Sequence, residues 1–277
     1  MPANDSKPRL KAPAGTCDTH MHFYDKRYPI APTAKILAPD ALVPEYMKMR
    51  ERIGIERTIV VQPSAYGSDN RCTMDAVAAI GPSARAVVVV EPDVTDAELE
   101  RLTKLGARGL RFFMLSGAPL PWDSLEALSA RVAPFGWHVV FQMDGRDLAD
   151  RADMLKRFAS KVIIDHTGKF LEPVSPDHPG FRTILDLLDG GRTWLKLAAP
   201  YETSKVGPPN YDDVGRLAKI AAKAAPERML WASNWPHPSA AEKPDDAWML
   251  DMLLDWIPDE AARKKALVDN ASELYGF

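Results

Sequence analysis

Asp18-Thr19-His20-Met21-His22 sets two imidazoles two residues apart within a short extended run, Gly15 to His22. Side chains alternate along a strand, so Asp18, His20 and His22 are expected on one face, with Thr19 and Met21 on the other. Two imidazoles side by side at a strand end can share a metal, or donate to substrate oxygens and relay protons between them. A His-x-His alone fits two loop histidines equally well. The case rests on what other strand ends deliver: Gln62 with Ser64 and Tyr66 just beyond, Glu91, Arg111, Gln142, Asp165-His166, Lys196 with Tyr201 beyond, and Asn234 with His237 in the next loop. Arg111 can clamp a carboxylate through two parallel hydrogen bonds. Arg108 lies an odd number of residues away and so faces the other way. Taken singly, each has a plain alternative: His166 as a hydrogen-bonded rim histidine, Arg111 in a structural ion pair, Lys196 as a buried stem with a solvated head. His138 falls at the start of its strand and His178 in a loop, and neither is counted.

The elements that must position these groups alternate along the chain. Gly15–His22, Arg57–Gln62, Arg85–Glu91, Arg108–Phe113, Trp137–Gln142, Lys161–His166, Thr193–Ala198 and Arg228–Asn234 read as eight strands. Their continuous apolar runs suit parallel strands buried on both faces. Between them lie helical stretches at Ala41–Ile53, Asn70–Ile80, Thr95–Leu105, Asp123–Phe135, Asp147–Ala159, Pro179–Leu188 and Tyr211–Ala225, with Asp245–Trp256 and Asp259–Val268 closing the chain. Thr95-Asp96-Ala97-Glu98 and Asp123-Ser124-Leu125-Glu126 read as capping boxes. A long Pro-rich loop after His22 reads as functional. The expected fold is α/β, a single-domain (β/α)₈ TIM barrel, whose chemistry sits at the C-terminal strand ends. A doubly wound open sheet would want a glycine-rich phosphate turn after its first strand, and the sequence has none there.

The 277 residues suit one such barrel at residues 15–277, preceded by a loose tail at 1–14 that lacks the apolar segment of a signal peptide. Hydrophobic residues make up 46% and charged residues 26%, enough for a sizeable core in a globular chain. A formal net charge of -3 argues against nucleic acid or an anionic membrane as the main partner. No apolar run is long enough to span a bilayer. Two cysteines without a C-x-x-C spacing point to a reducing, cytoplasmic setting.

Asp18-Thr19-His20-Met21-His22, Asp165-His166, Ser233-Asn234-Trp235-Pro236-His237-Pro238 and the closing Asn270-Ala271-Ser272-Glu273-Leu274-Tyr275-Gly276 together resemble the amidohydrolase superfamily. Val61-Gln62-Pro63-Ser64, Gly67-Ser68-Asp69-Asn70 and Gly109-Leu110-Arg111-Phe112 are similar to its lactonase branch, typified by 2-pyrone-4,6-dicarboxylate lactonase. The resemblance implies a carboxylated lactone as substrate and no required metal or other cofactor. The family carries Asp where Asn234 stands, as general base for water; an amide lacks the basicity for that. Either Asn was installed there to trap a substrate, or the chain is a natural member that does not activate water; the second resembles, within the family, a metal-independent lactone isomerase, interconverting δ- and γ-lactones of an aldaric acid such as galactarate in sugar-acid catabolism. There the nucleophile is an internal hydroxyl, and tethering is worth effective molarities of roughly 10⁵ M or more. His20, His22, His166 and Asn234 would then be catalytic, and Arg111 would hold the substrate carboxylate. Gln62, Ser64, Gln142, Lys196, Tyr201 and His237, placed only by strand ends, would bind the rest of the substrate. A hydrolase of a carboxylated lactone is the alternative, and a non-catalytic sugar-acid binder the reading from another class.

Overall fold

The computed structural model describes residues 6–277. Parallel strands follow one another around a barrel in chain order: β1 (Cys17–Met21), β2 (Arg57–Val61), β3 (Ala84–Val88), β4 (Ala107–Phe113), β5 (His138–Gln142), β6 (Val162–Ile164), β7 (Thr193–Leu197) and β8 (Met229–Trp231). The helices α1 (Val43–Ile53), α2 (Arg71–Ile80), α3 (Asp96–Lys104), α4 (Leu125–Val132), α5 (Ala152–Arg157), α6 (Pro179–Asp189) and α7 (Asp212–Ala224) cover the outside. The chain closes through α8 (Asp246–Asp251), α9 (Leu253–Trp256), α10 (Glu260–Lys264) and α11 (Asn270–Tyr275). This is the (β/α)₈ barrel that the alternation predicts. Among the described residues, no helix is long and apolar enough to cross a membrane.

Strand alternation divides the apolar residues between two cores. Ile59, Val61, Val87, Val140, Ile163, Trp194 and Leu230 point inward, and Ala271, Leu274 and Tyr275 of α11 pack against them. That inner cluster is the floor on which the polar residues at the strand ends stand. The outward-facing residues, such as Val60, Leu110, Phe112 and Leu195, pack under the helices.

β1 breaks the expected alternation. Its register against β2 shifts between Asp18 and Met21, the signature of one extra residue. Cys17 consequently belongs to the inner cluster and Met21 to the outer one, although an even spacing would put them on one face. Asp18 therefore does not share a face with His20, as strict alternation predicts. It reaches the other way, accepting from Tyr46 Oη of α1 at 3.1 Å, from the Ser233 amide at 2.9 Å and from Ser233 Oγ at 2.5 Å. Burial raises its carboxyl to about 6, opposed by these hydrogen bonds. The same bulge lets the chain close on itself: the Asn234 amide donates to His20 O at 2.9 Å, and the His22 amide to Trp235 O at 2.8 Å.

Three other expectations are revised. Of the loose tail, residues 1–5 lie outside the described residues, but Leu10 is buried and donates its amide to Asp251 Oδ1 of α8 at 2.8 Å. The second capping box does not form: Pro121 starts a 3₁₀ turn at Trp122–Ser124, and Glu126 pairs with Arg157 at 2.6 Å instead. β3 stops at Val88, which leaves Glu91 exposed beyond the mouth. Ser233→Ala keeps the amide donor but removes the hydroxyl donor from a buried carboxylate and the acceptor of the Trp235 amide, so it should lower unfolding free energy by roughly 1.5–3 kcal/mol, read from the midpoint of urea denaturation.

Candidate active site

A buried ammonium organises the bottom of the barrel mouth. Lys196 Nζ lies 3.0 Å from Asp165 Oδ1 and 3.2 Å from His20 Nδ1, with Lys196 and Asp165 fully buried. The tautomers follow from the partners. His22 Nδ1 faces the Val61 carbonyl at 2.7 Å and must be its donor, so His22 Nε2 is an acceptor. His20 Nε2, 3.1 Å away, therefore carries the proton. His20 Nδ1 is then an acceptor and takes its hydrogen bond from Lys196. Its 3.2 Å approach to Asp165 Oδ1 is two acceptors gathered on one ammonium. Burial would raise the Asp165 carboxyl, but the Lys196 ammonium outweighs it and holds it well below the usual range.

All three histidines are neutral near pH 7. Burial drives His20 well below its ordinary value, His22 to about 3 and His166 to about 4. His166 differs from the other two. It sits at φ 51° just past β6, a conformation uncommon for a residue with a side chain, and neither ring nitrogen has a protein hydrogen bond; Nδ1 is buried as well. Its ring lies 4.8 Å from that of His20 and lines the cavity at the mouth. His22 lines that cavity too, whereas His20 stands behind it.

Across the mouth, Arg111 of β4 donates to the Gln62 carbonyl at 2.7 Å and to Gln142 Oε1 at 3.0 Å, leaving its buried Nε without a partner. Its guanidinium lies 5.1 Å from the centre of the Phe113 ring. Ser64 and Gln142 line the cavity beside it. Gln62 does not reach the cavity. Its amide donates to Gly67 O and Asp69 O, and accepts from Thr73 Oγ1 at 2.5 Å, so the side chain is used to hold the loop after β2. The cause is parity: Val61 points inward, so the next residue points out.

Asn234, at φ 60°, enters the cavity from the loop after β8. Its Nδ2 donates to Tyr201 Oη at 2.8 Å and to Glu202 Oε1 at 3.3 Å. Tyr201 Oη meets His237 Nδ1 at 3.0 Å, and His237 Nε2 meets Asp246 Oδ1 at 3.0 Å. This chain fixes the amide orientation and leaves Asn234 Oδ1 without a donor among the described residues. His237 and Tyr201 therefore position Asn234; neither lines the cavity. Lys196 likewise lies beneath it, shared between Asp165 and His20.

Four polar lining residues escaped the reading of strand ends: Tyr24, Lys169, Glu202 and Ser239. Each stands three to eight residues beyond the end of its strand, where sequence spacing no longer tells direction. Lys169 Nζ pairs with Glu202 Oε2, and Ser239 Oγ donates to Glu202 Oε1. Burial would raise the Glu202 carboxyl, but the Lys169 ammonium and the Ser239 hydrogen bond outweigh it and hold it below its ordinary value. Glu202 is the one carboxylate lining the cavity among the described residues.

His20, Asp165 and His166 bring one potential metal-ligating atom each within 4.8 Å of one another. The set does not fit a divalent ion. The Lys196 ammonium already holds both Asp165 Oδ1 and His20 Nδ1, and would stand beside the ion as a like charge. His20 Nε2 is engaged with His22, and the β5 and β8 positions offer amides, which are poor ligands for zinc.

With the geometry in place, relatives can be compared. Residues 17–277 match the Amidohydrolase family, and the chain belongs to it. It is 38% identical over 273 residues to a D-galactarolactone isomerase of Agrobacterium fabrum, covering 97% of this chain and 93% of that one. It is 33% identical over 286 residues to a 2-pyrone-4,6-dicarboxylate hydrolase of Comamonas testosteroni, covering 99% and 94%. A crystal structure of an Agrobacterium tumefaciens protein in its apo form superposes with a TM-score of 0.93 at 37% identity, covering 98% of this chain and 97% of that one. The family is one of enzymes, and its named relatives here act on lactones.

The neutral histidines set a pH dependence. Their folded-state pKa values lie below the unfolded one, so between the two the unfolded chain binds more protons and stability rises with pH. Stability attributable to them is complete above about pH 6.5 and is lost as the pH falls toward 4. At pH 5 the loss is on the order of 2 kcal/mol each for His22 and His166. His166→Gln should flatten the fall of melting temperature between pH 7.5 and pH 5; an unchanged slope would mean that His166 is protonated in the fold.

Proposed function

We propose that this protein is a metal-independent lactone isomerase, moving the acyl group of an aldaric acid lactone, of the galactarolactone type, between δ- and γ-hydroxyls. One observation carries the reading: the cavity offers a free neutral imidazole, His166, but no unpaired carboxylate to hold and activate a water. Asn234 stands where a base would be, and Glu202 is paired with Lys169 and too weakly basic. Internal attack suits such a site, since tethering supplies effective molarities of roughly 10⁵ M or more and lowers the demand for a strong base.

In this mechanism Arg111 holds the free carboxylate of the substrate. The attacking hydroxyl gives its proton to His166 as the lactone carbonyl becomes a tetrahedral oxyanion. His166 then protonates the departing ring oxygen, so one proton moves from the incoming to the outgoing alcohol and no water is consumed. His22, its ring fixed by the Val61 carbonyl and by His20, forms the wall beside the reacting group without exchanging a proton. Asn234 Oδ1 accepts from a substrate hydroxyl and holds it in line. Ser64 and Gln142 complete the wall. The two free, buried cysteines support a reducing, cytoplasmic setting.

A hydrolase acting on a carboxylated lactone is the competing reading, supported by the named hydrolase among the relatives. Turnover of a fresh δ-lactone in heavy-oxygen water separates the two. The expected product is γ-lactone without solvent oxygen; labelled open diacid would refute isomerisation. Asn234→Asp places a carboxylate about 3.3 Å from Glu202, whose charge would raise its pKa toward neutrality. That variant should gain labelled diacid at the expense of γ-lactone.

Arg111→Ala should raise KM for the free-acid lactone by roughly ten- to a hundred-fold. The methyl ester should be affected far less. Equal effects on both would assign Arg111 to the structure alone.

A further inference from the structure

We infer that Glu202 sets the charge of acceptable ligands, by neutralising Lys169 and so excluding a lactone that carries a second carboxylate. The inference rests on the carboxylated-lactone reading and narrows it to lactones with one free carboxylate.

Two cationic side chains line the cavity, and they are treated oppositely. Arg111 meets only neutral partners, a backbone carbonyl and an amide oxygen, and has a buried N–H to spare. Lys169 is already matched by Glu202, with 10% and 8% of their side chains exposed. Ser239 and Asn234 add donors to the other Glu202 oxygen, which secures the carboxylate in its charged form. Below them Lys196 and Asp165 cancel, and the histidines are neutral. The cavity is left with one uncompensated positive charge, on Arg111.

The two cations also stand apart in the ring. Arg111 rises from β4, while Lys169 and Glu202 follow β6 and β7, and Ser239 follows β8. In an eight-stranded barrel with strands in chain order, these loops run from a quarter of the way round the mouth, after β6, to the side opposite β4, after β8. A ring held at Arg111 by one carboxylate therefore presents its far side to the Lys169–Glu202 pair. Hydroxyls there can exchange hydrogen bonds with a charged but neutral-sum pair. A second carboxylate there would face Glu202 and lose its own hydration without a free cation in return. An ion pair kept at the wall of a cavity contributes little net stability by itself, so selectivity is the physical role left to it.

The test uses binding of unreactive rings, which separates it from the question of isomerisation. Tetrahydrofuran-2-carboxylate and its cis-2,5-dicarboxylate are titrated by calorimetry. The parent protein should favour the monoacid by about tenfold or more. Glu202→Gln should raise affinity for the diacid by roughly ten- to a hundred-fold and reverse the preference, with little change for the monoacid. Adding Lys169→Met to that variant should abolish the gain, which assigns it to the released ammonium. If Glu202→Gln does not fold, judged by its melting curve, Lys169→Met alone serves. It leaves Glu202 uncompensated and should weaken the diacid more than the monoacid. A parent that prefers the diacid, or a Glu202→Gln ratio equal to the parent's, would overturn the inference while leaving isomerisation standing. Failure of both rings to bind would overturn the ligand class as well.

Discussion

The arrangement turns on one buried ammonium. Lys196 has no exposed surface and is shared by a carboxylate and an imidazole. Removing such a charge from water costs several kcal/mol, which only good partners offset. Asp165 supplies the opposite charge and His20 Nδ1 the second acceptor. Once His20 accepts there, its proton is confined to Nε2, and His22 must accept. The orientation of both histidines thus traces back to a lysine neither touches through its reactive face. Replacing Lys196 would leave Asp165 as an unpaired buried charge and free both rings to change tautomer.

The rest of the cavity is built for what is already attached to the substrate. A water-activating site needs a basic group near a bound water. Here the position facing His166 holds an amide whose orientation is settled by a chain from Asp246 through His237 and Tyr201. The nearby carboxylate is committed to a lysine. What remains is a neutral imidazole free to take a proton and return it, beside a guanidinium ready for a carboxylate. Several residues that hold this arrangement, His166, Lys169, Asn234 and His237, sit in left-handed backbone conformations without being glycine. Such strain persists where surrounding contacts enforce it.

The barrel was legible because strand and helix periodicity differ and because parallel strands read as continuous apolar runs. Residues on strands were also legible: Arg111, Gln142, His20 and Asp165 all face inward from positions their parity allows. Gln62 shows the limit, since it ends its strand on the wrong parity. Asp18 shows another, because one extra residue in β1 reverses a face and no residue type announces it. Lys169, Glu202 and Ser239 lie on loops, where direction depends on the packing of distant segments. Tyr201 and His237 fall between: their nearness to the mouth could be read, but the bonds that turn them into props for Asn234 could not.

The ring closes between its first strand and the segment after its last. His20 receives the Asn234 amide, His22 donates to Trp235, and Asp18 holds Ser233, across more than two hundred residues of chain. A ribosome releases the histidines more than two hundred residues before their closing partners. Throughout synthesis, β1 has an open edge and Asp18 lacks its donors. The growing polypeptide can assemble helices and inner strands as they emerge, but it holds no working pocket until the final segment arrives. Acquisition of activity thus waits on β8 and the residues just past it, and a nascent chain that stops short of Met229 would be both open-edged and inert.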